Sequence, residues 1–289
     1  MRNFRLFGYN PTITTSTDPE DVWGGGGSYT FPPVGENPTT RDGVHISSTQ
    51  DTDMGNVKGI DNMSTGAQTV RIYGLDKEYN ELIIDTPIYG GNSYDTGYNI
   101  FRINHMEVIS TGSDLKNNGN VHVGIGGVSS GVPVVRTYST ILADDLQTLS
   151  TIYTVPRGSI LEIDSIDIEL MAVVDITWSF HAGYGGALKK IITGFIDGSS
   201  STKDSYIFKT PYKLEGPIDI KVKVDEVSGT TGVTAAVLGN LTTTTNTKEP
   251  VRNYSTENEI RTDTFSVRKS AEDIKREEIS IKLQRNQTI

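Results

Sequence analysis

Few residues in this chain have types and spacings suited to chemistry. Its four histidines, His45, His105, His122 and His181, stand far apart. None falls in an H-E-x-x-H or H-x-H spacing, so no single turn or strand delivers two imidazoles to one metal. Cysteine is absent, which removes disulfides, thiolate ligands and thiol nucleophiles. The run Asp51-Thr52-Asp53-Met54-Gly55-Asn56 imitates the opening of a calcium loop. The closing glutamate of such a loop would fall near Asn62, and the flanks do not read as helices, so the run reads as a surface turn. Asp144-Asp145 and the pair Asp197 and Asp204 are weaker versions of the same pattern. Gly124-Ile125-Gly126-Gly127 begins like a phosphate loop, but Ser129 stands at the third glycine position and no helix follows, so it reads as a strand-end turn. A nucleophile elbow is missing, and no motif singles out a carboxylate pair for glycoside hydrolysis. The expectation is a protein without catalytic residues, cofactor or metal.

What remains is binding. Trp23, Tyr29 and Phe31 sit in a stretch rich in proline and glycine that includes Gly24-Gly25-Gly26-Gly27. Aromatics supply large buried area, so this stretch packs on something, either its own domain or a neighbouring subunit. Tyr89, Tyr94 and Tyr98 flank a Gly- and Asn-rich loop and could stack on sugar rings, or else pack into a core or an interface. These six residues are the candidate interaction site.

The elements that would position them read as β throughout. TVRIYGLDKEYNELIIDTPI (residues 69–88) alternates apolar and polar residues, breaks at Gly74-Leu75-Asp76 and alternates again, the signature of a hairpin with a loop longer than two residues. YNIFRINHMEVIS (98–110) predicts one bulged strand or two short ones. SILEIDSIDIELMAVV (159–174) changes the parity of its apolar residues midway, which predicts a bulge or bend. Ile176–His181 and Leu188–Phe195 predict strands around a Gly183–Gly186 turn, and Ile218–Val224 alternates cleanly. The expected fold is therefore all-β: one or two antiparallel β-sandwich (jelly-roll-like) blocks with extended N- and C-terminal arms. Residues 1–45 are expected as the N-terminal arm, 46–132 as the first block, 133–241 as the second, and 242–289 as a charged tail holding two short strands and a short helix.

Bulk properties narrow the partners. The formal net charge of -10 disfavours nucleic acid, because no basic run exceeds Lys189-Lys190. No window approaches the ~18 apolar residues of a membrane span, and the N-terminus lacks a signal-peptide core, so neither membrane insertion nor classical export is expected.

Four stretches carry a resemblance: Asp21-Val22-Trp23-Gly24-Gly25-Gly26-Gly27-Ser28-Tyr29-Thr30-Phe31-Pro32; Gln68 to Asp76 with Tyr79-Asn80-Glu81; Phe101-Arg102-Ile103-Asn104; and Gln147 to Pro156. Together they resemble virion structural proteins of tailed bacteriophages, marine ones in particular, over roughly residues 20–240. The resemblance implies a non-enzymatic virion component assembled in the host cytoplasm. A capsid decoration or cement protein leads. A neck or tail protein (collar, knob or fibre anchor) and a surface carbohydrate-binding module are the alternatives. The implied partners are the major capsid protein or other virion proteins, further copies in a homo-oligomer and, in the carbohydrate-binding alternative, a host-surface glycan. Residues 1–45 are expected to make the intersubunit contact.

Overall fold

The computed structural model describes residues 1–14, 18–32, 44–57, 63–243 and 251–253, the last three by backbone alone. Among them there is no helix. The strands are β1 (Arg2–Ile13), β2 (Glu20–Asp21), β3 (His45–Ser48), β4 (Ala67–Leu75), β5 (Glu81–Pro87), β6 (Tyr94–Asp95), β7 (Arg102–Thr111), β8 (Val121–Ile125), β9 (Val128–Ser129) and β10 (Val132–Pro133). They continue with β11 (Arg136–Ile141), β12 (Tyr153–Val155), β13 (Ser159–Leu170), β14 (Ile176–Tyr184), β15 (Ala187–Ile196), β16 (Lys203–Glu215), β17 (Ile218–Val227), β18 (Thr231–Thr243) and β19 (Val251–Asn253).

Four larger sheets result. Sheet I runs β1-β18-β13-β16 and sheet II runs β12-β17-β14-β15, with β2 on β17. Sheet III runs β19-β5-β4-β7 and sheet IV runs β11-β8-β3-β6. Every pairing is antiparallel except that of β19 with β5. Four sheets give a propeller-like arrangement of blades, and their buried faces combine two by two. One apolar cluster joins Leu6, Ile163, Ile166 and Val237 of sheet I to Trp178, Phe180 and Val222 of sheet II. A second joins Val70, Ile72 and Met106 of sheet III to Ile46, Val123 and Ile141 of sheet IV. Full burial of each such side chain contributes about 1.5–3 kcal/mol over exposure.

The 69–88 hairpin forms as β4 and β5. Its turn is held by Asp76, whose carboxylate accepts from the Glu78 and Asn80 N–H groups and from Asn80 Nδ2. The predicted bulge in 159–174 appears as a register shift between Ile163 and Ser165, which keeps apolar residues on one face along β13. In β7 the register shifts opposite Tyr73 and Gly74, leaving Asn104 outside the ladder.

The N-terminal arm requires correction. β1 pairs with β18 from Arg2 opposite Leu241 to Ile13 opposite Thr231. Its alternation places Leu6, Gly8 and Asn10 inward, a strand pattern that the surrounding prolines obscure. β2 pairs with β17. The block boundaries move as well. β11 belongs to sheet IV, so the first pair of sheets extends to Ile141, and the N-terminal strands belong with the second pair. β18 runs on to Thr243, and β19 pairs with β5, so the expected tail begins inside the sheets. Residues Met1–Tyr254 make one compact unit. The tail elements expected after residue 254 lie outside the described residues.

Candidate interaction surface

The strongest assembly of polar side chains is a buried junction. Arg102, at the start of β7, reaches Asp219 of β17 through a two-pronged ion pair, Nε to Oδ1 at 3.1 Å and Nη2 to Oδ2 at 3.2 Å. Both side chains are essentially sealed from solvent, at 1% and 0% exposure. Burial of an ion pair is tolerated only when the remaining polar positions are satisfied. Here they are: Thr154 Oγ1 donates to Asp219 at 2.6 Å and the Gly186 N–H donates at 2.7 Å. The guanidinium lies 4.1 Å from the Phe101 ring centroid and 5.3 Å from that of Phe31, with Tyr79 further out. Tyr79 reaches this place with a positive φ of 65° at the end of the Asp76 turn. Beside the pair, Asn104 and Thr154 exchange two hydrogen bonds, 2.9 Å and 2.8 Å. The bulge that frees Asn104 from its ladder is what makes this exchange possible.

Four separate stretches of the chain send residues here: Phe31, Tyr79, Phe101 with Arg102 and Asn104, and Thr154. The junction ties sheet III to sheet II, so these residues act as structural locks. Sequence reasoning missed Arg102 and Asp219 as partners. The available signal was a charge between Phe101 and Ile103, and a carboxylate on the alternating strand IDIKVKV.

A second buried pair supports the first. Lys221 Nζ donates to Asp21 Oδ2 at 2.9 Å and to the Tyr29 carbonyl at 2.8 Å. The Tyr29 N–H donates to the same Asp21 oxygen. Burial outweighs the mutual attraction: it holds the Asp21 carboxyl above the usual carboxylate range and the Lys221 ammonium below the usual lysine range.

The predicted interaction residues separate into two groups. Trp23, Tyr29 and Phe31 form an edge-to-face series with centroid spacings of 5.3 and 5.0 Å. They are 6%, 4% and 5% exposed, so they pack on their own domain and offer no surface to a neighbour. Tyr89 is half-buried and bridges to Met54. Tyr94 pairs with Ile46, and Tyr94 and Tyr98 are half-buried and pack against the second core.

Asp53, His122 and His181 have structural partners, whereas His45 Nδ1 is buried without a hydrogen bond among the described residues. Asp53 is fully buried and accepts from Ser48 Oγ and from the N–H groups of Ala67, Asn118 and Gly119. Ser48 is five residues away, but Ala67, Asn118 and Gly119 come from segments 14 to 66 residues along the chain, so the supposed calcium carboxylate is a cross-brace. His122 shares a 3.0 Å hydrogen bond with Thr140, and burial pushes its pKa down to about 4. His181 lies 2.8 Å from Ser179 Oγ and is pushed down to about 4 by burial and by Lys223.

The accessible surface lies elsewhere. β15 and β16 are the outer strands of sheets II and I. The chain passes from one to the other through Asp197–Thr202, which sets them along the same side of the shared core. Trp178 Nε1 donates to Asp204 Oδ2 at 2.9 Å and pins β16 to the core of sheet II. Phe195 of β15 is 62% exposed, and in β16 Ile207 is 73% and Tyr206 42% exposed. Such an edge offers unpaired backbone groups and apolar side chains together.

Against known proteins the chain matches no protein-family model and no curated protein sequence. The functional reading therefore rests on the residues themselves.

Proposed function

We propose that this protein is a non-enzymatic structural component of a tailed-bacteriophage particle, and within that class a decoration or cement protein that binds the outer shell. Its partners in this reading are the major capsid protein or other virion proteins and further copies of itself, assembled in the host cytoplasm. The observation that carries it is the convergence of the four virion-like stretches on one buried junction. Residues that resemble the family hold a rigid β scaffold together, as expected of a protein whose work is mechanical. The finer fold in this reading is two face-to-face sandwiches, sheets I and II in one and III and IV in the other, supported by their shared apolar clusters. The exposed edge at β15 and β16 supplies a binding surface that the buried N-terminal aromatics do not.

A neck or tail location is the second reading, supported by the same resemblance. Particles purified by density gradient and quantified by mass spectrometry separate the two. Copies in the hundreds support the shell, and a dozen or fewer support the tail axis. Absence of the protein from infectious particles would overturn both. A glycan-binding role has weaker support, because Tyr94 and Tyr98 are committed to a core.

A further inference from the structure

The buried pair of Asp21 and Lys221 has the geometry of two groups about to react. Asp21 of β2 and Lys221 of β17 stand 200 residues apart in the chain, with Nζ 2.9 Å from Oδ2. Their side chains are 0% and 8% exposed. The ladder fixes both backbones: Asp21 lies opposite Lys223, and Lys221 reaches it along the diagonal. Tyr29 then aims the side chains. Its carbonyl accepts from Nζ at 2.8 Å, which holds the amine against the carboxyl. Its N–H donates to Oδ2 and polarises that oxygen. The other oxygen, Oδ1, is buried and has no hydrogen-bond partner among the described residues. The Tyr29 ring stands between those of Trp23 and Phe31 in a buried cluster, so the pair borders an apolar wall.

An amine and a carboxyl condense when both are neutral, in contact and kept from water. Contact and burial are met here, and burial also drives the pair towards neutrality, with the carboxyl shifted upward and the ammonium downward from their ordinary values. We infer that Lys221 and Asp21 join in an isopeptide bond between Nζ and Cγ, made by the folded chain itself. A proton passes from the ammonium to the carboxylate, which leaves an amine and a carboxyl protonated on Oδ1. The Nζ lone pair attacks Cγ, and one electron pair of the C=O bond moves onto Oδ2, where the Tyr29 N–H stabilises the developing charge. A second proton passes from Nζ to Oδ1, the Cγ–Oδ1 bond breaks, and Oδ1 leaves as water. The double bond to Oδ2 re-forms, and Nζ keeps one hydrogen as an amide. One water is lost, and no oxidant or cofactor takes part. The fixed contact supplies the orientation that the same groups lack in free solution. The cost of holding two charges in a buried site favours the amide over the ion pair. The product ties β2 to β17 and closes a covalent loop from Asp21 to Lys221. The inference stands on this geometry and does not rest on a place in a virus particle.

The test weighs the full chain intact by mass spectrometry under denaturing conditions, after purification in its folded state. The expected mass is that of the sequence less one water. Protease digestion should then give a branched peptide that joins the Asp21 segment to the Lys221 segment, with the two linear peptides lost. Lys221→Arg and Asp21→Ala should each restore the full sequence mass and abolish the branched peptide. A wild-type protein of full sequence mass overturns the inference. So does a loss of water that maps to a peptide without Lys221, because an aspartate can also dehydrate against its own backbone. The wild-type measurement decides the matter by itself, so a variant that fails to fold leaves the test intact. Detection of the protein in particles is a separate result: an uncrosslinked protein found on the shell sinks the isopeptide bond and leaves the structural role standing.

Discussion

At the residue scale the Arg102–Asp219 pair carries the sharpest expectation. Replacing Arg102 with Met leaves a buried carboxylate without its main partner, and losses of this kind are about 3–5 kcal/mol. Chemical denaturation should show a lower midpoint of that order, and Asp219→Asn should behave alike. The double variant should cost less than the two singles combined, because no lone charge remains. His122 makes a pH-dependent contribution with a definite sign. Its folded-state pKa of about 4 lies below the ordinary value of 6.5, so the unfolded chain binds the proton first as pH falls. The stability held by neutral His122 is complete above about pH 6.5 and lost towards pH 4, up to about 3 kcal/mol. His181 should add to the same window by a smaller amount, since it is partly solvated. Melting curves between pH 7 and 4.5 should fall more steeply for wild type than for His122→Gln. An unchanged slope would remove His122 from the account.

At the element scale the N-terminal strand behaves as part of the body. Deleting Met1–Ile13 strips β18 of its edge partner and removes Leu6 and Ile13 from the first core. The expected product is insoluble or cooperatively destabilised, measurable as loss of the thermal transition; a well-folded truncated protein would refute the pairing. Gly194 gives a finer test. A Cβ there would lie 2.3 Å from the Trp178 ring, so Gly194→Ala must displace the ring or β15. Tryptophan fluorescence should shift, with stability falling by about 1–3 kcal/mol. Legibility in the sequence follows the same division. The hairpin at 69–88 and the bulge in β13 were readable because a two-residue period reports directly which face is buried. The N-terminal strand was hidden by prolines and glycines that dominate its neighbourhood, although Phe4, Leu6 and Gly8 alternate. The junction was unreadable for another reason. Arg102 and Asp219 are 117 residues apart, and nothing local marks a charge that will find its partner through the fold. The exposed edge was missed because Phe195 and Ile207 sit in ordinary strand patterns whose solvent face only the sheet order reveals.

At the scale of the whole molecule, two apolar cores are coupled by polar contacts. Arg102, Asn104 and the Tyr79 carbonyl, which accepts from the Arg157 N–H, all cross between the two pairs of sheets. Calorimetry of wild type should therefore give a single transition, and Arg102→Met should broaden or split it. Two resolved transitions in wild type would mean that the cores melt independently. One pairing described above also settles how the molecule can be handled. Arg2 stands opposite Leu241, so the start of the chain and the end of its penultimate described strand lie about 5 Å apart, one ladder spacing. A two- or three-residue linker could splice them, and a new terminus could be opened in the exposed turn at Ser199–Ser200. A circular permutant made this way would lose β19 from sheet III and keep the antiparallel pairings among β1 to β18. It would also place any appended tag at the β15–β16 edge, so that the same polypeptide, cut at a different point, becomes a reporter of whether that edge is covered.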